Sequence, residues 1–199
     1  YPATEGNQQQ AHLPPPPTAM NVQWEASDPN GDRLIYELKY QPAGTDKWLL
    51  LVEDEQQNRF QWQTQRVPDG RYLIKVTASD RLDNPPDMAK TTTRQSDPIV
   101  VDNTAPTLEG IDKQVQGNTL TLKATAKDAL MPIGGIGYVL DDQEAYEQVL
   151  PDDLIFDSTS ESFTVSIDNL SPGPHVLTLR VIDTRGNARY ESYLFEVKQ

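Results

Sequence analysis

The sequence repeats itself at an offset of about 103 residues, which limits the chain to folds that fit twice into its 199 residues. The segment 68–80 aligns with the segment 171–183, and the alignment matches Gly70 with Gly173. Further pairs align at offsets of 100 to 103: Phe60 with Phe163, Tyr36 with Tyr138, Leu38 with Leu140, Ala26 with Ala126 and Asp28 with Asp128. The repeat therefore predicts two tandem copies of one domain of about 90 to 100 residues.

Apolar residues within each copy recur at every second position, which is the period of a half-buried strand. In the first copy, for example, Val22, Trp24 and Ala26 alternate with Gln23 and Glu25. Turn sequences rich in Pro, Asp, Asn and Gly separate such segments, and no segment shows a convincing helical period. Residues in one phase of these strands are the predicted core of the first copy: Trp24, Tyr36, Phe60, Trp62, Tyr72, Ile74 and Val76.

Seven short strands per copy, without cysteine, predict a β-sandwich for each. We predict the first sandwich at residues 20–102 and the second at 103–199, with turn residues at the boundary. Residues 1–19 contain the run Pro14–Pro17 and are predicted to be a proline-rich linker, because proline favours extended polyproline II and donates no backbone hydrogen bond. A ligand segment for a proline-reading domain is the alternative interpretation.

Two features resemble fibronectin type III domains: Trp24, and the segment Val67–Ala78 with its Pro and Tyr before an alternating strand. The second copy departs from this pattern, with Ala124 in place of the Trp and His175 in place of the Tyr, and is better described as immunoglobulin-like. The resemblance covers nearly all of residues 20–199. It implies an all-β chain of two tandem seven-stranded immunoglobulin-like (fibronectin III-like) β-sandwiches.

The segments 24–32 and 101–106 also look like parts of tandem modules found in large exported bacterial proteins. This resemblance implies a secreted, periplasmic or cell-surface location, with other domains of a parent protein as partners. The expected function is a non-catalytic structural or interaction module that spaces or presents those domains. A carbohydrate- or protein-binding module, with a protein or polysaccharide ligand, is one alternative; accessory domains of an enzyme outside this chain are another.

Composition excludes several other classes. The formal net charge of −13 leaves no basic surface for nucleic acid and disfavours anionic membranes. No apolar run approaches the roughly 20 residues of a membrane helix. The absence of cysteine excludes thiol catalysis, zinc–thiolate sites and disulfides. The chain begins at Tyr1 without a charged-then-apolar leader, so we expect a processed chain or part of a longer one.

No arrangement of residues predicts catalysis, and we expect no cofactor. The chain has two histidines, and no catalytic motif accompanies them. His175 is predicted to fill the corner position that Tyr72 occupies in the first copy. The segment 134–137 has the spacing of part of a dinucleotide-binding loop, but it runs into a strand, so its glycines are predicted to relieve crowding. A small sandwich also seldom forms the cleft that a pair of glycosidase carboxylates needs.

Acidic loops at one end of the first sandwich are the best candidate for a metal site. In an alternating sandwich, the loops after strands two, four and six share one end, and we place Asp28–Asp32, Glu53–Glu55 and Asp80–Asp87 there. The Asp-x-Asn-x-Asp spacing suits a hard cation. The predicted Ca²⁺ ligands are Asp28, Asn30, Asp32 and Asp80, with ion-free solvated turns as the alternative.

Two weaker candidate sites also follow from the sequence. A cation at the junction of the copies would lie between Asp128 and Asp183 of the second copy and the linker residues Asp102 and Asn103. The simpler interpretation is that Asp183 caps its own turn. An aromatic sugar platform would use Trp48, Trp62 and Tyr40. We instead expect Trp62 in the core, because it alternates with glutamines, and Trp48 nearer the surface.

Overall fold

The structure, a computed structural model, describes residues 19–198, which lie mostly in antiparallel strands. The described residues divide into two compact units, 19–103 and 104–198. All but the last residue of the predicted linker, 1–19, falls outside the described residues. That 20–102 and 103–199 fold independently of each other stays a prediction.

The first unit contains seven described strands in two sheets. They are β1 (Met20–Gln23), β2 (Ile35–Pro42), β3 (Leu49–Glu55), β4 (Arg59–Trp62), β5 (Gly70–Ser79), β6 (Thr91–Gln95) and β7 (Ile99–Val101). One sheet consists of β1 and β4, and the other has the order β3-β2-β5-β6, with β7 also paired to β5. The two sheets form a sandwich with the core between them.

The second unit also contains seven described strands. They are β8 (Thr107–Gln116), β9 (Thr119–Lys127), β10 (Ile133–Leu140), β11 (Glu147–Val149), β12 (Ser160–Ile167), β13 (Gly173–Asp183) and β14 (Ala188–Val197). Three strands form one sheet in the order β12-β9-β8, and four form the other in the order β11-β10-β13-β14. The predicted fold class, two tandem seven-stranded immunoglobulin-like sandwiches, is confirmed.

The period-two alternation explains which residues form the first core. Tyr36, Trp62, Tyr72 and Ile74 are each at most 7% exposed. The remaining predicted core residues, Trp24, Phe60 and Val76, are half-buried and pack against the buried ones. Trp24 directly follows β1, the first described strand of its unit.

Glycines of β10 stand where a side chain has no room. A Cβ at Gly134 would lie 3.0 Å from the carbonyl oxygen of Asp183, and a Cβ at Gly137 would lie 3.0 Å from that of Glu147. Because both obstacles are backbone atoms, they cannot swing aside as a flexible side chain does. The prediction that the glycines of segment 134–137 relieve crowding is confirmed for Gly134 and Gly137, whereas a Cβ at Gly135 would meet nothing within 4 Å.

Helical structure is almost absent from the described part of the chain. Residues 19–198 contain one helical element, a 3₁₀ turn at Thr64–Arg66. None of the described helical structure has the length and apolar character required to cross a bilayer.

We expect the fragments 20–102 and 103–199, expressed separately, each to unfold in a cooperative transition. The physical reason is that each unit has hydrophobic clusters of its own. Thermal unfolding followed by circular dichroism tests this expectation. If neither fragment unfolds cooperatively while the whole chain melts in a single transition, the two-domain prediction fails.

Candidate functional site

Three carboxylates meet at one end of the first unit. Asp28, Asp32 and Asp80 each offer a carboxylate oxygen, and these three oxygens all lie within 4.8 Å of one another. We call these three residues the acidic cluster. The turn after β1 supplies Asp28 and Asp32, whereas Asp80 directly follows β5. The structure thus brings together three of the four predicted Ca²⁺ ligands.

The turn that carries Asp28 is held by its own carboxylate. Asp28 Oδ1 accepts hydrogen bonds from the backbone amides of Asn30, at 2.7 Å, and Asp32, at 3.3 Å. Gly31 adopts a φ of +79°, a left-handed conformation that suits glycine. Asn30, the fourth predicted ligand, takes part in this turn through its backbone amide, so its side chain as a metal ligand stays a prediction.

The acidic cluster is also connected to the loop that follows β5. Asn84 donates through Nδ2 to Asp32 Oδ2, at 2.9 Å, and to the backbone carbonyl of Asp80, at 3.3 Å. Asp80 Oδ1 accepts the backbone amide of Lys90, at 2.6 Å. These bonds fix the two loops relative to each other, so the carboxylates stand together without a cation among their described partners.

An arginine beside the acidic cluster pairs with a different acid. Arg33 donates to Asp83 through Nη2, at 2.6 Å, through Nε, at 3.0 Å, and through its backbone amide, at 2.7 Å. The side-chain and backbone hydrogen bonds from Arg33 lower the pKa of Asp83, and the hydrogen bond to Asp83 raises the pKa of Arg33. Arg33 therefore has a carboxylate partner outside the acidic cluster.

The other acids predicted at this end play different roles. Glu53, Asp54 and Glu55 form the end of β3 rather than a loop after it, which corrects the sequence assignment. Asp54 pairs with Arg81, and Glu55 Oε1 accepts backbone amides of the next turn. Sequence reasoning placed these acids near the end of the domain, but it did not identify their partners, because ion pairs depend on long-range strand register.

Asp183 in the second unit caps its own turn. Its Oδ1 accepts the backbone amides of Arg185, at 2.7 Å, and Asn187, at 3.0 Å, while Oδ2 accepts Asn187 Nδ2 at 2.8 Å. Asp128 likewise accepts the amides of Leu130 and Met131, both at 2.8 Å. The simpler of the two interpretations, turn capping, is confirmed for Asp183. The alternative of a junction cation stays an untested prediction.

His175 occupies the corner that Tyr72 occupies in the first unit. Tyr72 donates its hydroxyl to the carbonyl of Pro68, at 2.6 Å, four residues earlier. His175 Nε2 lies 2.8 Å from the carbonyl oxygen of Ser171, also four residues earlier, and its Nδ1 lies 2.7 Å from Asp141 Oδ2. Both ring nitrogens therefore face acceptors, and the predicted corner role is confirmed.

The surroundings of His175 favour its charged form. The Ser171 carbonyl first, and then the Asp141 carboxylate, raise the pKa of His175 above its usual value. Desolvation acts to raise the pKa of Asp141, but hydrogen bonds from the Val176 amide and the His175 ring outweigh it and lower that pKa. Both ring nitrogens of His175 are engaged by partners at the corner, so neither is free to act as a general base.

The second unit should therefore lose stability as the pH rises through the raised pKa of His175. Below the unfolded-state pKa of about 6.5 the stabilisation is fully present, because both states bind the proton. Urea midpoints at several pH values from 5.5 upwards measure the effect. A His175→Tyr variant, which keeps a donor for the Ser171 carbonyl, should lose this pH dependence; an identical pH profile in the variant would assign it to another group.

The three residues considered for an aromatic sugar platform do not form one, and Trp62 lies in the core as expected. Trp62 is 4% exposed and belongs to the core, with its ring centroid 5.1 Å from that of Tyr40 and 5.6 Å from that of Tyr72. Trp48 is half-buried, and the ammonium group of Lys75 lies 4.1 Å from its ring centroid. Trp48 therefore stands apart from Trp62 and packs against a lysine.

A similar contact in the second unit was missed by sequence reasoning. The guanidinium carbon of Arg180 lies 4.2 Å from the ring centroid of Tyr146, and Tyr190 packs edge-on against Tyr146 at 6.3 Å. In both units the aromatic residue directly precedes an edge strand of the larger sheet, β3 or β11, and the cation lies on the strand with the corner residue. The alternation on those strands was a usable signal, because it places Lys75 and Arg180 on the outer face.

Comparisons with known proteins yield structural likenesses alone. No family model matches the sequence, and no curated protein matches it. The chain is similar to the FN1-FN3 domains of chicken CNTN1, with 14% identity, a TM-score of 0.44, and coverage of 93% of this chain and 64% of that one. It thus spans less than two thirds of that structure. It is also similar to the fibronectin(III)-like modules of Clostridium thermocellum CbhA, with 14% identity, a TM-score of 0.41, and coverage of 92% and 86%.

Proposed function

We propose that the chain is a non-catalytic structural or interaction module that spaces or presents other domains of a larger protein. The observation that carries this proposal is that side chains of types common in active sites make structural hydrogen bonds here. His175 braces a corner through both ring nitrogens, and Asp183 caps a turn through both carboxylate oxygens. Groups saturated in this way are not poised for proton transfer or nucleophilic attack.

The proposal extends to location and partners. The resemblance of the segments 24–32 and 101–106 to tandem modules of exported bacterial proteins supports a secreted, periplasmic or cell-surface parent protein. The partners would then be neighbouring domains of the same parent. The net charge of this chain is −13, which disfavours nucleic acid as a partner, because phosphate contacts require clustered Lys and Arg.

Exchange of the module within its parent protein tests the spacer role. Residues 20–199 are replaced by an unrelated pair of fibronectin type III-like domains of equal length, and a second variant lacks them altogether. We expect the exchange to preserve the activity and location of the parent, whereas the deletion impairs them. An exchange as damaging as the deletion would show that this particular surface, rather than its length, is required.

We propose in addition that the acidic cluster binds Ca²⁺. The observation that favours this role is the meeting of three carboxylate oxygens within 4.8 Å, supplied by two separate loops. Ca²⁺ takes six to eight oxygen ligands from carboxylates, carbonyls and water, and the turn after β1 supplies two of the three clustered carboxylates. Binding would relieve the mutual repulsion of the three acids and join the turn after β1 to the loop after β5.

Millimolar Ca²⁺ should therefore raise the melting temperature of the first unit. An ion that binds the folded state alone adds about 2.7 kcal/mol at a hundredfold excess over Kd. Asp32→Ala should abolish the increase, whereas Asp87→Ala, which removes an exposed acid of the loop after β5 outside the acidic cluster, should preserve it. Calorimetry without any heat of Ca²⁺ binding, together with a melting curve that ignores chelator, would leave these acids as solvated turns.

A further inference from the structure

The smaller sheet of the first unit has an open edge where the second unit has a strand. The repeat aligns β1 with β9, through Ala26 with Ala126 and Asp28 with Asp128. In the second unit β9 is the central strand, with β12 on one side and β8 on the other. Within residues 19–198, β1 pairs with β4 alone. No described strand lies beside β1 in the position that β8 takes beside β9.

Backbone groups of β1 point toward this open edge. The amide of Trp24 donates to the carbonyl of Asn58, at 3.2 Å, on the side of β4. Successive residues of a strand direct their amide and carbonyl groups to opposite sides. Asn21 and Gln23 therefore present their backbone groups away from β4. Such a row of unpaired edge donors and acceptors is a template for another strand. Residues Met20–Trp24 include no charged side chain, the feature that commonly prevents such pairing at an edge.

An apolar groove lies along the same edge. A cleft of about 1350 Å³ is bounded by β1 and the residues after it on one side and by β6 on the other. Its apolar lining includes Met20, Val22, Trp24, Ile74, Val76 and Ile99. The indole Nε1 of Trp24 is buried there without a hydrogen-bond partner in the described structure, and every residue of β6 is exposed. The core of the first unit is thus incompletely covered on this side.

We propose that the open edge of β1 is a docking site for an extended peptide segment of a partner protein. Strand β8 shows the chemistry that such a segment needs. Its residues Leu108, Ile111 and Val115 pack on the second core, while the polar residues between them face outward. The docked segment pairs with the backbone of Asn21 and Gln23 and places alternate apolar side chains in the groove.

Charge and sequence favour a partner strand over two other occupants. At the offset of 100 that aligns Ala26 with Ala126, residues 7–16 correspond to β8, and the last three of them, Pro14–Pro16, have no amide proton for a ladder. A second copy of the chain is disfavoured because two chains of charge −13 repel each other. Three acids, Glu25, Asp28 and Asp80, line the cleft against two bases, Lys90 and Arg94, so a lysine on the peptide is complementary to the acidic end, where Asp28 and Asp80 lie.

The inference extends the interaction part of the proposed function, and it is tested on this chain alone, so failure of the spacer role leaves it standing. The probe is a nine-residue peptide of alternating valine and threonine with a lysine at each end. A scrambled peptide of equal composition, with its valines contiguous, is the control. We expect saturable binding of the alternating peptide, by calorimetry and by a fluorescence change that Trp24→Phe removes, and binding at least about tenfold weaker for the scrambled peptide.

Variants of Gln23 separate strand pairing from simple apolar contact. Gln23→Pro removes an edge amide without touching the bonds to β4, whereas Gln23→Thr keeps that amide. We expect Gln23→Pro to weaken binding at least about tenfold, because lost ladder bonds accumulate, and Gln23→Thr to bind as the original chain does. If Gln23→Pro unfolds, amide hydrogen exchange of the original chain tests strand pairing instead. The peptide should slow exchange of the Asn21 and Gln23 amides but not of the Trp24 amide, which is already bonded to Asn58.

Three results would overturn the proposal. The first is absence of binding at millimolar peptide, or equal binding of the alternating and scrambled peptides. The second is a chain that binds peptide after removal of residues 1–18 but not before, which would make those residues the occupant. The third is a dimer that dissociates on dilution and loses its peptide site when associated, which would make the occupant a second copy.

Discussion

Replacing Trp62 by alanine is expected to lower the free energy of unfolding of the first unit by about 3 to 5 kcal/mol. The side chain is 4% exposed and contacts the rings of Tyr40 and Tyr72. Its removal loses the transfer free energy of a large aromatic group and leaves a cavity that the two sheets close in part. Urea denaturation of the whole chain, followed by circular dichroism, measures the loss.

Trp48→Ala is the matched control for this experiment. Trp48 is half-buried and its main described contact is Lys75, so we expect a cost of about 1 kcal/mol. A larger stability loss for Trp62→Ala than for Trp48→Ala would show that the cost comes from burial in the core and not from the removal of a tryptophan as such. A cost well under 1 kcal/mol for Trp62→Ala would place its ring at the surface and revive the sugar-platform hypothesis.

The core was predictable because its information is local. A strand buried on one face must alternate apolar and polar residues, and this alternation identified Tyr36, Trp62 and Tyr72 as interior. The corner role of His175 was predictable for a similar reason. In both units the side chain at the corner bonds the backbone carbonyl four residues earlier, Pro68 for Tyr72 and Ser171 for His175. The alignment of His175 with Tyr72 was therefore enough to predict the corner role of His175.

Contacts between distant strands were not predictable in the same way. The assignment of Glu53–Glu55 to a loop failed because β3 extends to Glu55, and strand ends depend on the pairing partner rather than on local composition. The pairing of Arg33 with Asp83 depends on how two loops meet, and so does the contact of Arg180 with Tyr146. For the acidic cluster, alternation of strand direction predicted which loops converge, but not the distances between their oxygens.

Turn capping by Asp183 should be one of the larger single contributions in the second unit. The residue is 3% exposed, and its carboxylate accepts three hydrogen bonds from the turn that joins β13 to β14. Hydrogen bonds to a charged acceptor are worth about 1.5 to 3 kcal/mol each, and bonds within one turn do not add fully. We therefore expect Asp183→Ala to lower the free energy of unfolding by about 3 kcal/mol.

Comparing Asp183→Asn with Asp183→Ala separates the effect of the carboxylate's hydrogen bonds from the effect of side-chain volume. Asp183→Asn keeps an oxygen for the amides of Arg185 and Asn187 but replaces Oδ2 by a donor, which faces the Asn187 side chain. Its cost should lie between those of the original residue and alanine. Glu196→Ala, at an exposed position of β14, should change stability by less than about 0.5 kcal/mol. Equal and small costs for Asp183→Asn and Asp183→Ala would mean that backbone pairing of β13 with β14, and not the carboxylate, holds this turn.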